Sequence, residues 1–175
     1  GAVHEELQLG MLIERAEASH PGEEFTSEAE WWRCVQADFP KFIPFLTQEC
    51  GLEFRGRILE IGAGAAWFSA ELSKLPPVVE IIATDASARL LKQQAPKVFK
   101  LLQAHAAKIT RMPADFGKLD FPANHFDAVV CANALNRAVN MLRVLREVRR
   151  VLKPGGQFVA IRKTVRPLVR FRSAP

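Results

Sequence analysis

Tyrosine is absent from the 175 residues, and cysteine and methionine number three each. Without tyrosine, the basic stretches carry no interleaved phenol rings, and no RNA- or DNA-binding signature accompanies them. Cys34, Cys50 and Cys131 are odd in number, far apart and free of any Cys-x-x-Cys. That excludes a disulfide framework and points to a reducing compartment, so a cytoplasmic location is expected. No apolar run approaches the ~20 residues that a bilayer crossing needs. The opening residues lack the charged-then-apolar layout of a secretory leader, and none is expected. No group of histidines, cysteines and acids has metal-ligand spacing, so no metal is expected. Internal repeats and low-complexity tracts are missing too.

What remains is ordinary globular material: 49% apolar and 25% charged residues, in a chain of about one domain's size. The net charge of +5 is unevenly placed, with ten basic residues between Arg143 and Arg172. Such a patch suits a polyanion, but a solvated helix face with a basic tail reads the same way.

The first 56 residues read as helices. Glu5 to about Ala18 has a broad apolar side, His20-Pro21-Gly22 breaks it, and Ser27 with Glu30 forms a capping box for a second helix. Phe39-Pro40 ends that helix, and a third, short one runs from Phe42 to Cys50. From Arg57 the pattern alternates. Short apolar runs at 58–61, 78–84, 108–112, 126–132 and 157–162 are separated by helical stretches. Five strands in βαβ units predict a doubly wound α/β fold with a mostly parallel sheet.

Two glycines, Gly62 and Gly64, follow the first of these runs and precede a helix. Glycine adopts the backbone angles of such a turn without a Cβ clash and lets a ligand touch the main chain. An ordinary strand-to-helix turn looks the same, so the acids matter. Glu60 ends the first strand, Asp85 the second, and Asp115 follows the third. A carboxylate at Asp85 suits both hydroxyls of a ribose, though Asp also caps helices well. Asp115 suits an exocyclic amine beside the apolar wall of Phe116. An Asx-turn acid and a core phenylalanine are the alternatives. Strand, glycine turn, helix, strand, acid is a nucleoside-binding layout.

The ordered set Glu60-x-Gly-x-Gly, Asp85, Ala114-Asp115-Phe116, Phe121-Pro122-x-x-x-Phe126-Asp127 and Val151-Leu152-Lys153-Pro154-Gly155-Gly156 resembles class I S-adenosylmethionine-dependent methyltransferases. The likeness is to the small-molecule branch that includes quinone-biosynthesis enzymes. It runs from about Arg57 to Ile161. It implies a Rossmann-like core at 57–175, preceded by a helical cap or lid at 1–56, in one compact unit. It implies S-adenosylmethionine as cofactor, S-adenosylhomocysteine as product and a small-molecule acceptor. Glu60 would face the methionine amino end, Gly62, Ala63 and Gly64 would pass under the methionine and ribose, and Asp85 would hold the ribose. Ala86 would touch the adenine, Asp115 and Phe116 would read its edge, and Ala132 and Asn133 would border the methyl group. Any base for the acceptor would come from Asn133, His125 or His105. Trp31 and Trp32 would belong to a lid over the acceptor, and one of them would face out, since two adjacent tryptophans cannot both face inward.

Three departures from the family pattern stand out. Ala66 replaces the third glycine, a position ascribed to close helix–strand approach. Ala134-Leu135-Asn136-Arg137 stands where the family often has an acid-histidine or histidine pair after the fourth strand, which tells against a base there. The C-terminal hairpin is expected to be short or absent, which would leave the last strand an open edge; a homodimer, a truncation or a shortened variant would each account for that. The alternatives are a non-catalytic cofactor- or partner-binding domain of the same fold, and an NAD(P)-binding domain. The second meets an obstacle in Trp67, which stands where a dinucleotide turn wants its last glycine. A nucleic-acid substrate is not favoured, since no Asn/Asp-Pro-Pro-Tyr/Phe run is present.

Overall fold

The computed structural model describes residues 11–12, 28–132, 134–135 and 138–161. Its strands are β1 (Met11–Leu12), β2 (Gly56–Ile61), β3 (Val78–Asp85), β4 (Ile109–Pro113), β5 (Phe126–Ala132) and β6 (Leu152–Ile161). Its main helices are α1 (Glu28–Ala37), α2 (Trp67–Ser73), α3 (Ala95–Leu101) and α4 (Met141–Val151). Tight and wide helical turns fill 39–49, and a wide turn, Leu90–Gln94, leads into α3.

The strands form one sheet in the order β1-β6-β5-β2-β3-β4, and every described pairing is parallel. The chain runs outward from β2 to β4, then returns to β5 on the other side of β2. That reversal opens a crevice beyond the carboxyl ends of β2 and β5. The five strands expected from the alternation are present. Two expectations are corrected. Met11 and Leu12, assigned to a first helix, are strand residues paired in parallel with Phe158 and Val159. The outer side of β6 is therefore partly occupied rather than open. The remainder of that first helix, Ser27 of the capping box, Asn136, Arg137 and the whole stretch after Ile161, on which the expectation of a short or absent hairpin falls, lie outside the described residues.

Strand alternation divides the core in two. Ile58, Ala128, Val130, Val159 and Ile161 face α1, the 39–49 turns, α2 and α3. Leu59, Ile61, Val129, Cys131, Phe158 and Ala160 face α4 and the residues before β5. Central strands covered on both faces are mostly apolar, which is why β5 reads as a hydrophobic run from Ala128 to Ala132, with Asp127 at its amino end. Trp31 and Trp32 both lie half-buried against the first cluster, edge-to-face with centroids 4.7 Å apart. Neither therefore faces out alone, against the expectation for one of them: both pack against the core to a similar degree. Phe39 stacks on Trp67 at 4.3 Å and Phe42 lies 5.5 Å from it, so the front helices grip the first residue of α2.

The amino edge of the sheet is closed by Asp127. Its Oδ2 accepts the Arg57 N–H at 2.8 Å, and Lys153 Nζ reaches Oδ1 at 3.2 Å. Burial pushes this carboxyl up, but the Arg57 N–H and Lys153 outweigh it and hold it below the usual range. Residues 153–156 loop out of β6 here, since Phe126 pairs with Leu152 and Ala128 with Gln157. Gly56, at φ +69°, leaves room for the arrangement: a Cβ on it would stand 2.2 Å from Asp127 Oδ2. Gly56→Ala combines left-handed strain with loss of a charged hydrogen bond, and should cost about 2 kcal/mol or more. Urea denaturation checks this; a change under about 0.5 kcal/mol, the usual size for a neutral surface substitution, would contradict it.

Candidate functional site

The turn after β2 is built on positive φ angles at Gly62 (+64°), Gly64 (+56°) and Ala66 (+58°). The two glycines do different work. A Cβ on Gly62 would stand 2.3 Å from the Ala134 Cβ and 3.7 Å from Phe116 Cε1. Gly62 is thus pressed against the segment after β5 and the segment after β4. A Cβ on Gly64 would meet nothing within 4 Å. There the backbone faces open space that a ligand can enter.

Ala66 is a correction. It does not lie inside the helix but immediately before it, in the left-handed region and fully buried. Glycine suits this position because of its backbone angle, and alanine holds it at a cost of about 1–2 kcal/mol.

Asp85 ties the turn to the next strand. Its Oδ2 accepts the Gly64 N–H at 2.8 Å, and its Oδ1 accepts the Ser87 N–H at 2.7 Å. The side chain is only 4% exposed, yet each oxygen keeps a second acceptor position. The Ala63 N–H reaches Thr84 O at 2.8 Å and the Ala114 N–H reaches Asp85 O at 3.1 Å, so the tips of β2, β3 and β4 are laced together. Ala86, next along, is exposed.

Glu60 is placed otherwise than its resemblance role implies. Strand alternation puts it on the face of Ile58, beneath α2, where Ser69 donates both its N–H (3.0 Å) and its hydroxyl to Oε2. It is 1% exposed. Burial pushes its carboxyl up to about 8, against the pull of the Ser69 bonds and with a smaller push from Asp85. Ser69 was missed in the sequence; the parity of Ile58 and Glu60 was the signal for which helix Glu60 would meet.

Asp115 is exposed, and its Oδ1 accepts the Gly117 N–H at 2.8 Å. The three carboxylates thus have separate hydrogen-bond partners: Glu60 takes Ser69 of α2, Asp85 takes the Gly64 and Ser87 amides, and Asp115 closes an Asx turn through Oδ1 alone. Phe116 is half-buried beside Gly62, an apolar wall at the crevice. Ala132 ends β5 at the same edge, while Asn133 lies outside the described residues. Ala134, which seats Gly62, was also missed; nothing in its sequence context marked it.

The histidines stand at the wrong end. His125 precedes β5 at the amino edge, its ring 3.1 Å from Arg57 Nη1. His105 precedes β4 at that same edge, its N–H bonded to Ser73 Oγ at 2.9 Å. The sheet separates both from the glycine turn. Trp31 and Trp32 lie against each other and the core, and Trp32 Nε1 donates to Glu28 Oε1 at 3.3 Å. Among the described residues no group of histidines, cysteines and acids is placed to hold a metal, and no helix is long and apolar enough to cross a membrane.

The residues fit a nucleoside-bearing cofactor: an open backbone cradle at Gly64, a carboxylate with free acceptor positions at Asp85 and an aromatic wall at Phe116. The comparisons agree. The family profile described as "Methyltransferase domain" matches residues 59–160. The chain is 31% identical over 118 residues to "Ubiquinone/menaquinone biosynthesis C-methyltransferase UbiE" of Pseudomonas aeruginosa (strain LESB58), covering 67% of this chain and 45% of that protein. It therefore spans about half the length of that relative. Among solved structures it resembles an S-adenosylmethionine-dependent methyltransferase from Mesorhizobium loti (TM-score 0.57, 26% identity, 72% of this chain and 54% of that one). It also resembles the PH0226 protein from Pyrococcus horikoshii OT3 (TM-score 0.58, 25% identity, 77% and 58%). The fold and crevice define a class I nucleoside-cofactor domain. The chain belongs to the methyltransferase-domain family, whose cofactor is S-adenosylmethionine.

Because Glu60's folded value of about 8 lies above its ordinary 4.5, the folded state keeps a proton that the unfolded chain releases between those pH values. Stability should therefore fall as pH rises across that window, by at most about 1.4 kcal/mol per pH unit. Glu60→Gln retains acceptors for Ser69 and removes the titration. Melting curves from pH 5.5 to 8 should show the variant gaining on the wild type; parallel curves would contradict the assignment.

Proposed function

We propose that this domain binds S-adenosylmethionine along the glycine turn and transfers its methyl group to a small-molecule acceptor. The observation that carries the reading is the open face of Gly64, held in place by Asp85. The cofactor supplies a sulfonium methyl that is already activated for attack. The chain's own task is to bind and align, which can lower a barrier by up to ~7–11 kcal/mol when orientation is good.

In this reading Gly62, Ala63 and Gly64 run beneath the methionine and ribose. The free acceptor positions of Asp85 take the ribose hydroxyls, charge-assisted and orientation-specific. Ala86 and Phe116 flank the adenine, and Asp115 offers its remaining oxygen to the base's amino group. Ala132 and Asn133 border the acceptor. Any proton the acceptor loses goes to a group other than His105 or His125, which face the far edge of the sheet. The small-molecule acceptor is supported by the relatives' names, which describe enzymes of quinone biosynthesis. An NAD(P) role is disfavoured because Trp67 is buried among Phe39, Phe42 and Phe68 at the start of α2, where a dinucleotide turn needs glycine.

Calorimetry with S-adenosylmethionine and S-adenosylhomocysteine tests the reading. The wild type should bind both, and Asp85→Ala should lose at least about tenfold in affinity, as expected for loss of hydrogen bonds to a charged group. Unchanged affinity in that variant, or a thermal shift with NADH and none with either nucleoside, would overturn it.

A further inference from the structure

The residues between β4 and β5, 114–125, contain no helix or strand of their own beyond a single bridge between Asp115 and Lys118. They nevertheless carry Phe116 to the Gly62 side of the crevice, with Asp115 next to it just beyond the carboxyl end of β4. Loops of this length in a compact domain are usually functional and need fixing. The middle of this one is fixed from α4 by two side chains. Glu147 Oε2 accepts the Leu119 N–H at 2.7 Å. Arg150 donates to Leu119 O from Nη2 and to Phe121 O from Nη1, each at 2.6 Å. The two are also joined to each other, Nε to Oε1 at 2.9 Å and Nη2 to Oε2 at 3.0 Å.

The arrangement differs from a surface ion pair. A simple i,i+3 pair between exposed side chains is worth little. Here the guanidinium's planar fork reads two backbone carbonyls and a carboxylate at once, which a flexible ammonium cannot copy. The carboxylate in turn closes the circuit on the Leu119 N–H between those carbonyls. Glu147 is the single acid of α4, among four arginines, and Arg150 holds its carboxyl below the usual range. Leu119 is buried against Val144 and Val148, so the loop cannot slide without breaking both the polar and the apolar contacts. Phe116, three residues earlier, reaches the Gly62 side of the crevice.

We infer that the Glu147–Arg150 pair is a positioning device for base recognition: by gripping Leu119 and Phe121 it fixes Asp115 and Phe116 relative to the glycine turn, and so sets the preference for adenine over other purines. This rests on the reading of the crevice as an S-adenosylmethionine site. Adenine presents an amino donor at the position where hypoxanthine presents an acceptor oxygen. A carboxylate held there favours the first and repels the second. A loop free to shift would lose the distinction while leaving the ribose and methionine contacts of Asp85 and the glycine turn intact.

The test compares calorimetric affinities for S-adenosylhomocysteine and its inosine counterpart, S-inosylhomocysteine, in the wild type and in Arg150→Met, Glu147→Gln and the milder Arg150→Lys, each checked for an intact melting transition. The wild type should prefer the adenosine compound. Arg150→Met and Glu147→Gln should shrink that preference about tenfold, the scale of one hydrogen bond to a charged group, chiefly by weakening the adenosine compound. Arg150→Lys should fall between, and it carries the test with Glu147→Gln if Arg150→Met does not fold. Equal losses for both ligands, or a wild type without preference, would overturn the inference and leave the pair a stabilising contact only. A wild type that binds neither compound overturns the reading of the site itself, a result distinguishable from both.

Discussion

Everything at the carboxyl edge of this sheet depends on one carboxylate bridging two backbone amides. Asp85 holds Gly64 and Ser87 at once, so the turn after β2 and the turn after β3 cannot move independently. A turn with three left-handed positions within five residues, one of them occupied by alanine, is costly on its own. The Asp85 bonds and the packing of Gly62 on Ala134 over-determine it. Strain of this kind persists where the surroundings enforce it, and it is commonly found where ligands are held.

The two edges of the sheet are built oppositely. At the amino edge, Arg57 pairs with Glu80 and lies against His125, Lys153 pairs with Asp127, and Asp127 fills the space beside Gly56. At the carboxyl edge the backbone is laced together, but side chains leave Gly64 open. A closed edge supplies stability and an open one supplies a site, as the strand-order reversal leads one to expect. Between them, the front helices reach the turn indirectly, through Phe39 and Phe42 on Trp67.

Most of the strand pattern was legible because buried strands advertise themselves: β5 runs from Phe126 to Ala132 as its apolar run predicts. The glycine turn and the position of Asp85 were legible for the same reason, since a strand's end fixes where its next residue stands. Side-chain direction was harder. The resemblance put Glu60 at the cofactor's amino end, but the period of two sends it under α2. Asp115 was open between reading a base and closing an Asx turn, and one oxygen does the latter. The histidines drew attention by type, whereas their placement before β4 and β5 already put them at the far edge. Met11 and Leu12 could not be foreseen as strand, because two residues added to an edge take their conformation from β6 and not from their own pattern. The roles of Arg150 and Ala134 are tertiary: in the sequence one is an arginine among several and the other an alanine among many.

The central claim is that the Asp85-bound turn is the cradle of the cofactor. Following backbone amide signals by nuclear magnetic resonance while titrating S-adenosylhomocysteine tests it most directly. The account predicts saturable shifts of Gly64 and Ser87, with Phe116 following and with His105 and His125 unmoved. Shifts confined to the amino edge, or a turn that stays silent while the ligand binds, would contradict it.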